Sequence, residues 1–229
     1  MTDQDHHRPL RSFVLRQGRL TSGQKLALES QWPIVGLEFQ NDFLDLEKAF
    51  DRKAPTTLEI GFGNGDSLAQ MAKNAPECNF FGIEVHRPGV GHLLHLVEEY
   101  ELSNVRVMHH DAVEIINKMI PDGSLDRIQI YFPDPWHKKR HNKRRIVQPE
   151  FVALLATKLH QGGVLHLATD WEHYAQQMLK VMTAAPDYAN QATSGGYAER
   201  PDYRPLTKFE NRGIKLGHGV WDLMFQKLP

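Results

Sequence analysis

The sequence holds one cysteine, no apolar run approaching the length of a membrane span, no internal repeat, no low-complexity tract and almost no net charge. Each absence removes a class of protein. Cys78 has no partner in the chain for a disulfide, and its setting, Ala75-Pro-Glu-Cys-Asn, offers no second metal ligand at short spacing. A spanning helix needs roughly 18 or more consecutive apolar residues, and the opening Met1-Thr-Asp-Gln-Asp-His-His lacks the basic-then-apolar pattern of a secretory leader. The expectation is a soluble, cytoplasmic protein that engages no membrane. With 27 Lys and Arg against 28 Asp and Glu the formal charge is −1, so no overall field draws the chain onto a polyanion.

At 229 residues, 24% charged and 41% hydrophobic, the chain suits one large domain with an added segment. Residues 1–50 mix Arg8, Arg11, Arg16, Arg19 and Lys25 with the turn formers Gly18, Gly23 and Pro33, and show no sustained periodicity. They read as an extension, partly mobile, ahead of a main domain over 51–229. From Thr56 onward short apolar runs alternate with helical patterns, which predicts an α/β fold with a mostly parallel sheet. The predicted strands are Thr57–Ile60, Asn79–Glu84, Asn104–His109, Leu125–Phe132 and Val164–Thr169, with a last one within Val220–Leu228. Between them Val90, Leu93, Leu94 and Val97 form a helical core stripe. So do Trp171, Tyr174, Ala175, Met178, Leu179 and Met182, and Phe151, Leu154, Leu155 and Leu159 behind Pro149.

The first strand runs into Glu59-Ile-Gly61-Phe-Gly63-Asn-Gly65-Asp66. Glycines between a strand and a helix let the backbone approach a ligand at the electropositive helix end. The spacing G-x-G-x-G differs from the G-x-G-x-x-G of dinucleotide folds, which argues against NAD. Glu59, two residues before the first glycine, could hold an ammonium and would repel a phosphate. Glu84 closes the second strand, 19 residues past Gly65, where a carboxylate can accept from ribose hydroxyls. Asp111 follows the third strand and could accept from an adenine amino group, cap the helix starting near Ala112, or do both. A nucleoside that carries an ammonium and makes no phosphate contacts describes S-adenosyl-L-methionine, so this half reads as a class I methyltransferase with a Rossmann-like fold and helices on both sheet faces.

The fourth strand ends in Phe132-Pro-Asp134-Pro-Trp136. Prolines on both sides of Asp134 stiffen the loop that presents its carboxylate. Six of the eight residues from Lys138 to Arg145 are basic, so phosphates would bind there, and Trp136 could stack on a base. Cys78 is remote from this loop, which excludes the thiolate route to pyrimidine carbon 5 and calls for an acceptor that is already nucleophilic. Guanine N7 is one: it carries an exposed lone pair and no proton, and Asp134 would orient the base. His137 and His141 stand at i, i+4 and His92 and His95 at i, i+3, but no Glu lies between the first pair and cations surround it, so no metal is expected.

Taken together, the glycine loop, Phe132-Pro-Asp-Pro-Trp136 with Lys138-Lys-Arg, Leu167-Ala-Thr-Asp170-Trp171 and Arg204-Pro-Leu-Thr207-Lys208-Phe209-Glu210-Asn-Arg-Gly213 resemble the bacterial tRNA (guanine-N(7)-)-methyltransferase family from Leu58 onward. The resemblance implies S-adenosyl-L-methionine contacts from Glu59, Glu84, Asp111 and Asp134 beside Gly61, Gly63 and Gly65, with S-adenosyl-L-homocysteine as product. It implies that Asp134 is catalytic, that Lys138, Asp170, Thr207, Lys208, Phe209 and Glu210 contact substrate, and that Arg140, His141, Asn142, Lys143, Arg144 and Arg145 contact RNA. The product would be 7-methylguanosine at position 46 of the tRNA variable loop. No obligate protein partner is implied, and either a monomer or a homodimer is compatible. From the residues alone, Asp170 equally suits the cap of the helix that follows. The competing readings are a methyltransferase for an exocyclic base nitrogen, a non-catalytic RNA-binding module and an NAD oxidoreductase.

Overall fold

The structure is a computed structural model, and it describes residues 12–13, 18–206, 210 and 219–229. Seven strands form one sheet: β1 (Thr56–Ile60), β2 (Asn79–Ile83), β3 (Val105–Met108), β4 (Leu125–Tyr131), β5 (Leu159–Thr169), β6 (Tyr188–Asn190) and β7 (Trp221–Lys227). Their spatial order is β3-β2-β1-β4-β5-β7-β6. The first five run parallel, and β7 lies antiparallel between β5 and β6. Strand order reverses between β1 and β4, so the loops leaving these two strands part and open a crevice at the carboxyl edge.

Helices cover both faces. Behind the even residues Leu58 and Ile60 of β1 pack α2 (Leu46–Phe50), α5 (Ala112–Lys118), α6 (Pro149–Lys158) and α7 (Glu172–Ala184), through Phe50, Ile115, Ile116, Phe151, Leu155, Tyr174 and Met178. The opposite face carries α3 (Asp66–Asn74), α4 (Arg87–Glu99) and α1 (Ser22–Val35), through Leu68, Met71, Val90, Leu93, Leu94, Val97 and Ala27. The β1–β5 strands buried on both faces are the near-continuous apolar runs that parallel sheets require.

The structure departs from the sequence expectations at four places. Residues 22–50, read as irregular, contain α1 and α2. Thr21 caps α1 in a reciprocal box with Gln24, and Pro33 falls within its last turn. Leu37 then donates to Val107 O at 2.9 Å, which pins this segment to the edge strand β3. Leu159, expected on a helix face, closes α6 and opens β5, which starts before Val164 because its strand continues through Gly162 and Gly163. Trp171, expected in the core stripe of α7, is the residue before its first turn and is 40% exposed. The three-residue β6 has too short a pattern to read. Among the described residues no helix is long and apolar enough to cross a membrane.

Candidate active site

The crevice at the strand-order reversal is a cavity of about 370 Å³. Its walls come from the carboxyl ends of four strands: Ile60 and Gly61 after β1, Ile83 and Glu84 after β2, Asp111 after β3, and Phe132, Pro133 and Asp134 after β4. Gly61, Gly63 and Gly65 all have positive φ, at 74°, 61° and 79°. A Cβ at Gly61 or Gly63 would meet nothing within 4 Å, so the loop leaves open space above its backbone; one at Gly65 would strike Leu93 of α4 at 2.7 Å. The first two glycines thus bare the loop backbone and the third lets α4 close against it.

Glu84 is fixed by the main chain. Its Oε2 accepts from Gly63 N at 2.8 Å, and its Oε1 accepts from Val85 N at 2.6 Å and His86 N at 2.9 Å. A carboxylate has about four acceptor positions, so roughly one is left for a ligand hydroxyl, fewer than the pair expected from the sequence. Asp111 caps α5 by accepting from Val113 N at 2.9 Å, and it also lines the cavity. Asp134 stands exposed to the cavity between its prolines. The loop around it is tensioned at both ends, with φ of +49° at Phe132 and +44° at Trp136, values that side-chain-bearing residues seldom adopt. Phe132 N donates to Ala168 O at 2.8 Å, so the loop leaves the sheet only after β4 has paired with β5.

Glu59 does not line this cavity. It sits on the opposite face of β1, 3% exposed, with Oε2 accepting from Gln129 Nε2 at 2.8 Å. Burial pushes its carboxyl up to about 7, with help from the nearby Glu84 charge and against the Gln129 hydrogen bond.

A second cavity of about 620 Å³ adjoins the first. The two share Ser12, Phe13, Val85, His110, Asp111 and Ile146, and the second adds Lys143, Arg144 and Arg145 to its wall. Lys139–Arg144 form a short 3₁₀ helix that brings the basic stretch back over this opening. Trp136 is enclosed there: its indole donates to Ser12 O at 3.1 Å, its ring meets His141 edge-on, and the Arg144 guanidinium lies 4.7 Å from its centroid. Lys138, Lys139, Arg140 and Lys143 are exposed, whereas Asn142 turns its Oδ1 inward.

The chain matches, over residues 53–223, a family model described as "Putative methyltransferase". It is 62% identical over 221 residues to the tRNA (guanine-N(7)-)-methyltransferase of Shewanella amazonensis, covering 96% of this chain and 93% of that one. To the protein of the same name from Shewanella frigidimarina it is 59% identical over 225 residues, covering 98% and 94%. The chain belongs to the tRNA (guanine-N(7)-)-methyltransferase family. In fold it is similar to the 16S rRNA methyltransferase KamB, with a TM-score of 0.62 at 15% identity over 86% of this chain and 99% of that one. It is also similar to the aminoglycoside resistance methyltransferase NpmB1, with a TM-score of 0.56 at 14% identity over 83% and 95%. The Rossmann-like class I methyltransferase fold expected from the strand and helix pattern is the fold observed.

Within this family frame, the placement of the expected substrate and RNA residues divides them. Asp170 ends β5 with its side chain exposed, and it does not cap α7; the Trp171 amide there donates to Thr169 Oγ1 at 3.2 Å. Thr207, Lys208 and Phe209 lie outside the described residues. Glu210 is buried, and both its oxygens accept from Arg204, at 2.8 and 2.7 Å; it does not line the cavity.

Arg145 corrects the reading of the basic stretch. It is 2% exposed; its guanidinium donates to Pro135 O at 2.8 Å and to Gln177, meets His173 Nδ1 at 3.1 Å and lies 4.6 Å from the Tyr174 ring centroid. Its charge is spent on bracing the Asp134 loop against α7, because a guanidinium with five donors suits a pocket of fixed acceptors better than a mobile phosphate. Sequence reasoning also passed over His86, His110 and Ile146 as lining residues; no spacing marks them. Among the described residues no group of three or more His, Cys, Asp or Glu is arranged to hold a metal.

Two outcomes follow from this geometry. Arg145→Ala should lower the thermal midpoint by roughly 5–10 °C, since it strips several buried hydrogen bonds to a charged group, while Lys143→Ala should shift it by no more than about 1 °C; equal midpoints in melts of the two variants would return Arg145 to the RNA surface. For Glu59, a folded pKa raised from 4.5 to about 7 favours the protonated acid. The stability this gives is complete below about pH 4.5 and drains away as pH climbs to about 7, a difference of about 3 kcal/mol. Glu59→Gln should therefore match the native chain in melts near pH 4.5 and exceed it at pH 8. An offset independent of pH would mean that Glu59 does not titrate in that window.

Proposed function

We propose that this chain transfers the methyl group of S-adenosyl-L-methionine to N7 of a guanine in tRNA, at position 46 of the variable loop, forming 7-methylguanosine. One observation carries the reading: an acidic cavity at the strand-order reversal opens directly into a second cavity whose wall brings Lys143 and Arg144 together with Glu114 and Glu150. Glu84, Asp111 and Asp134 line the first, a charge pattern that repels a pyrophosphate and welcomes a ligand with a sulfonium and an ammonium. Its volume falls within the roughly 300–1,000 Å³ of small-molecule sites. Lys143 and Arg144 line the second, where phosphates gain from them. Membership in the family supports both the reaction and the acceptor.

The residues present fit the cofactor. Gly61 and Gly63 leave the loop backbone bare, Glu84 is preorganised to accept a ribose hydroxyl, and Asp111 can accept from an adenine amino group. Bound there, the cofactor supplies an electrophilic methyl carbon. Guanine N7 carries a lone pair and no proton, so accepting that carbon, with the sulfur leaving as the neutral thioether, would ask no general base of the chain. What it must provide is alignment of nitrogen, carbon and sulfur. Asp134, on a loop stiffened by Pro133 and Pro135 and braced by Arg145, orients the purine and offsets the positive charge that the ring acquires. Lys138 and Asp170, both exposed, border the acceptor, and Arg140 and Lys143, with Lys138 and Lys139, track the phosphates.

Incubation of the chain with unmodified tRNA and methyl-labelled S-adenosyl-L-methionine, followed by nucleoside mass spectrometry and mapping, should place the label in 7-methylguanosine of the variable loop. A different methylated nucleoside would overturn the acceptor assignment. Asp134→Asn should lower kcat by about 10² or more while leaving tRNA affinity within about threefold, because the phosphate contacts remain. With about four phosphates neutralised, log K for tRNA against log salt should fall with a slope near −3, and replacing Arg140 and Lys143 by Ala should flatten it. An unchanged slope would remove that stretch from the RNA surface.

A further inference from the structure

On the α3 and α4 face of the sheet, a continuous row of polar side chains crosses four adjacent strands. Gln129 of β4 donates through Nε2 to Glu59 of β1 at 2.8 Å, and its Oε1 accepts from the Tyr131 hydroxyl at 3.0 Å. That hydroxyl is 2.8 Å from Nδ1 of His166 on β5, whose Nε2 lies 2.8 Å from Oδ1 of Asp222 on β7. Arg204 then closes the row, donating to both oxygens of Asp222 at 2.7 and 2.8 Å and to both oxygens of Glu210 at 2.8 and 2.7 Å. Every member from Glu59 to Glu210 is buried. Glu59, Gln129 and His166 are direct cross-strand partners, so at about 4.8 Å per strand the row spans roughly 14 Å.

Such a row is a poor way to obtain stability alone. Apolar side chains of equal volume would hold the sheet at least as well, without the desolvation of three acids and an arginine. What hydrogen bonds add is direction. The row also reaches toward the cavity: Glu59 flanks the glycine loop, and at the other end Arg204 holds Glu210. Arg204 lies, besides, 5.7 Å from the ring centroid of Phe132, where the Asp134 loop begins. The midpoint is a branch. The Tyr131 hydroxyl has one proton and two acceptors within reach, Gln129 Oε1 and His166 Nδ1, and the Tyr203 hydroxyl, 2.9 Å from that same nitrogen, competes for it. Donation to Gln129 leaves the amide donating to a charged Glu59. Donation to His166 leaves Gln129 Oε1 without that donor, and turning the amide over satisfies it if Glu59 is protonated.

We propose that Gln129, Tyr131, His166, Asp222 and Arg204 are positioning residues that set the Phe132 end of the Asp134 loop in register with the glycine-loop side of the cofactor cavity. The inference rests on the N7-methyltransferase reading above, because the register it invokes is that between cofactor and guanine. None of the five lines that cavity, and none is needed for the charge pattern that selects the ligand.

The test is a kinetic double-mutant cycle on the full chain with tRNA. Tyr131→Phe keeps the ring and removes the hydroxyl at the branch; Arg204→Lys keeps the charge and loses the two-sided clamp. Each should lower kcat at saturating tRNA by about tenfold or more, with the dissociation constant for S-adenosyl-L-homocysteine within about twofold of the native value. The double variant should lose no more than about twofold beyond the worse single one, since both break the same row. Gln129→Met takes the place of Arg204→Lys in the cycle if that variant does not give a native-like melt. Native kcat in Tyr131→Phe, multiplying losses in the double variant, or a loss confined to S-adenosyl-L-homocysteine binding would overturn the proposal. A native chain that forms no 7-methylguanosine would instead overturn the reaction assigned above, before any variant is compared.

Discussion

The reversal of strand order between β1 and β4 is the constraint on which the rest of the molecule depends. Five parallel strands deliver their carboxyl ends to one edge, and only at the reversal do the connecting segments part and leave room for a ligand. Glu84, Asp111 and Asp134 belong to three different strand ends and are dispersed over fifty residues of sequence; the reversal makes them neighbours. The same edge receives the basic 3₁₀ helix, because the chain leaving β4 must cross the opening before α6 returns it to the sheet.

Around that opening the protein fixes charges by two different means. Glu84 is held by three main-chain amides, one from the glycine loop at Gly63 and two from Val85 and His86 just after it in the chain, so the carboxylate ties the ends of β1 and β2 together. Among the described residues no main-chain amide holds Asp134, which is placed indirectly, by flanking prolines and by the grip of Arg145 on the Pro135 carbonyl. The basic stretch is therefore of mixed purpose. Its exposed side chains suit a polyanion, and its last arginine belongs to the architecture of the acid loop.

Much of this could be read from the residues. The patterns of β1 to β4 match the observed strands within a residue or two, whereas β5 begins five residues before the Val164 expected, and the glycine spacing and the acids at strand ends mark the cavity. What escaped notice did so for physical reasons. The apolar stripe of α1 is thin, with only Ala27 and Val35 buried, and Pro33 masks it as a loop. The role of Arg145 depends on contacts with α7, about thirty residues away, which no local pattern encodes. The buried polar row left a trace: Gln129 between Ile128 and Ile130, and His166 between Leu165 and Leu167, interrupt strands that should be apolar throughout. Each isolated polar residue invites dismissal as a satisfied core group, and only cross-strand register reveals that they touch.

The position of β7 bears on how the protein comes into being. Residues 221–227 fill a slot between β5 and β6, and not at a sheet edge, so the sheet has a gap until almost the whole described chain has been made. Chains are synthesised from the N-terminus, and during that interval β5 presents an unpaired edge with His166 on it and no Asp222 to meet. The crevice walls contributed by β1 to β4 can therefore form before residues 221–227 are made, whereas the pairing of His166 with Asp222 has to wait for them.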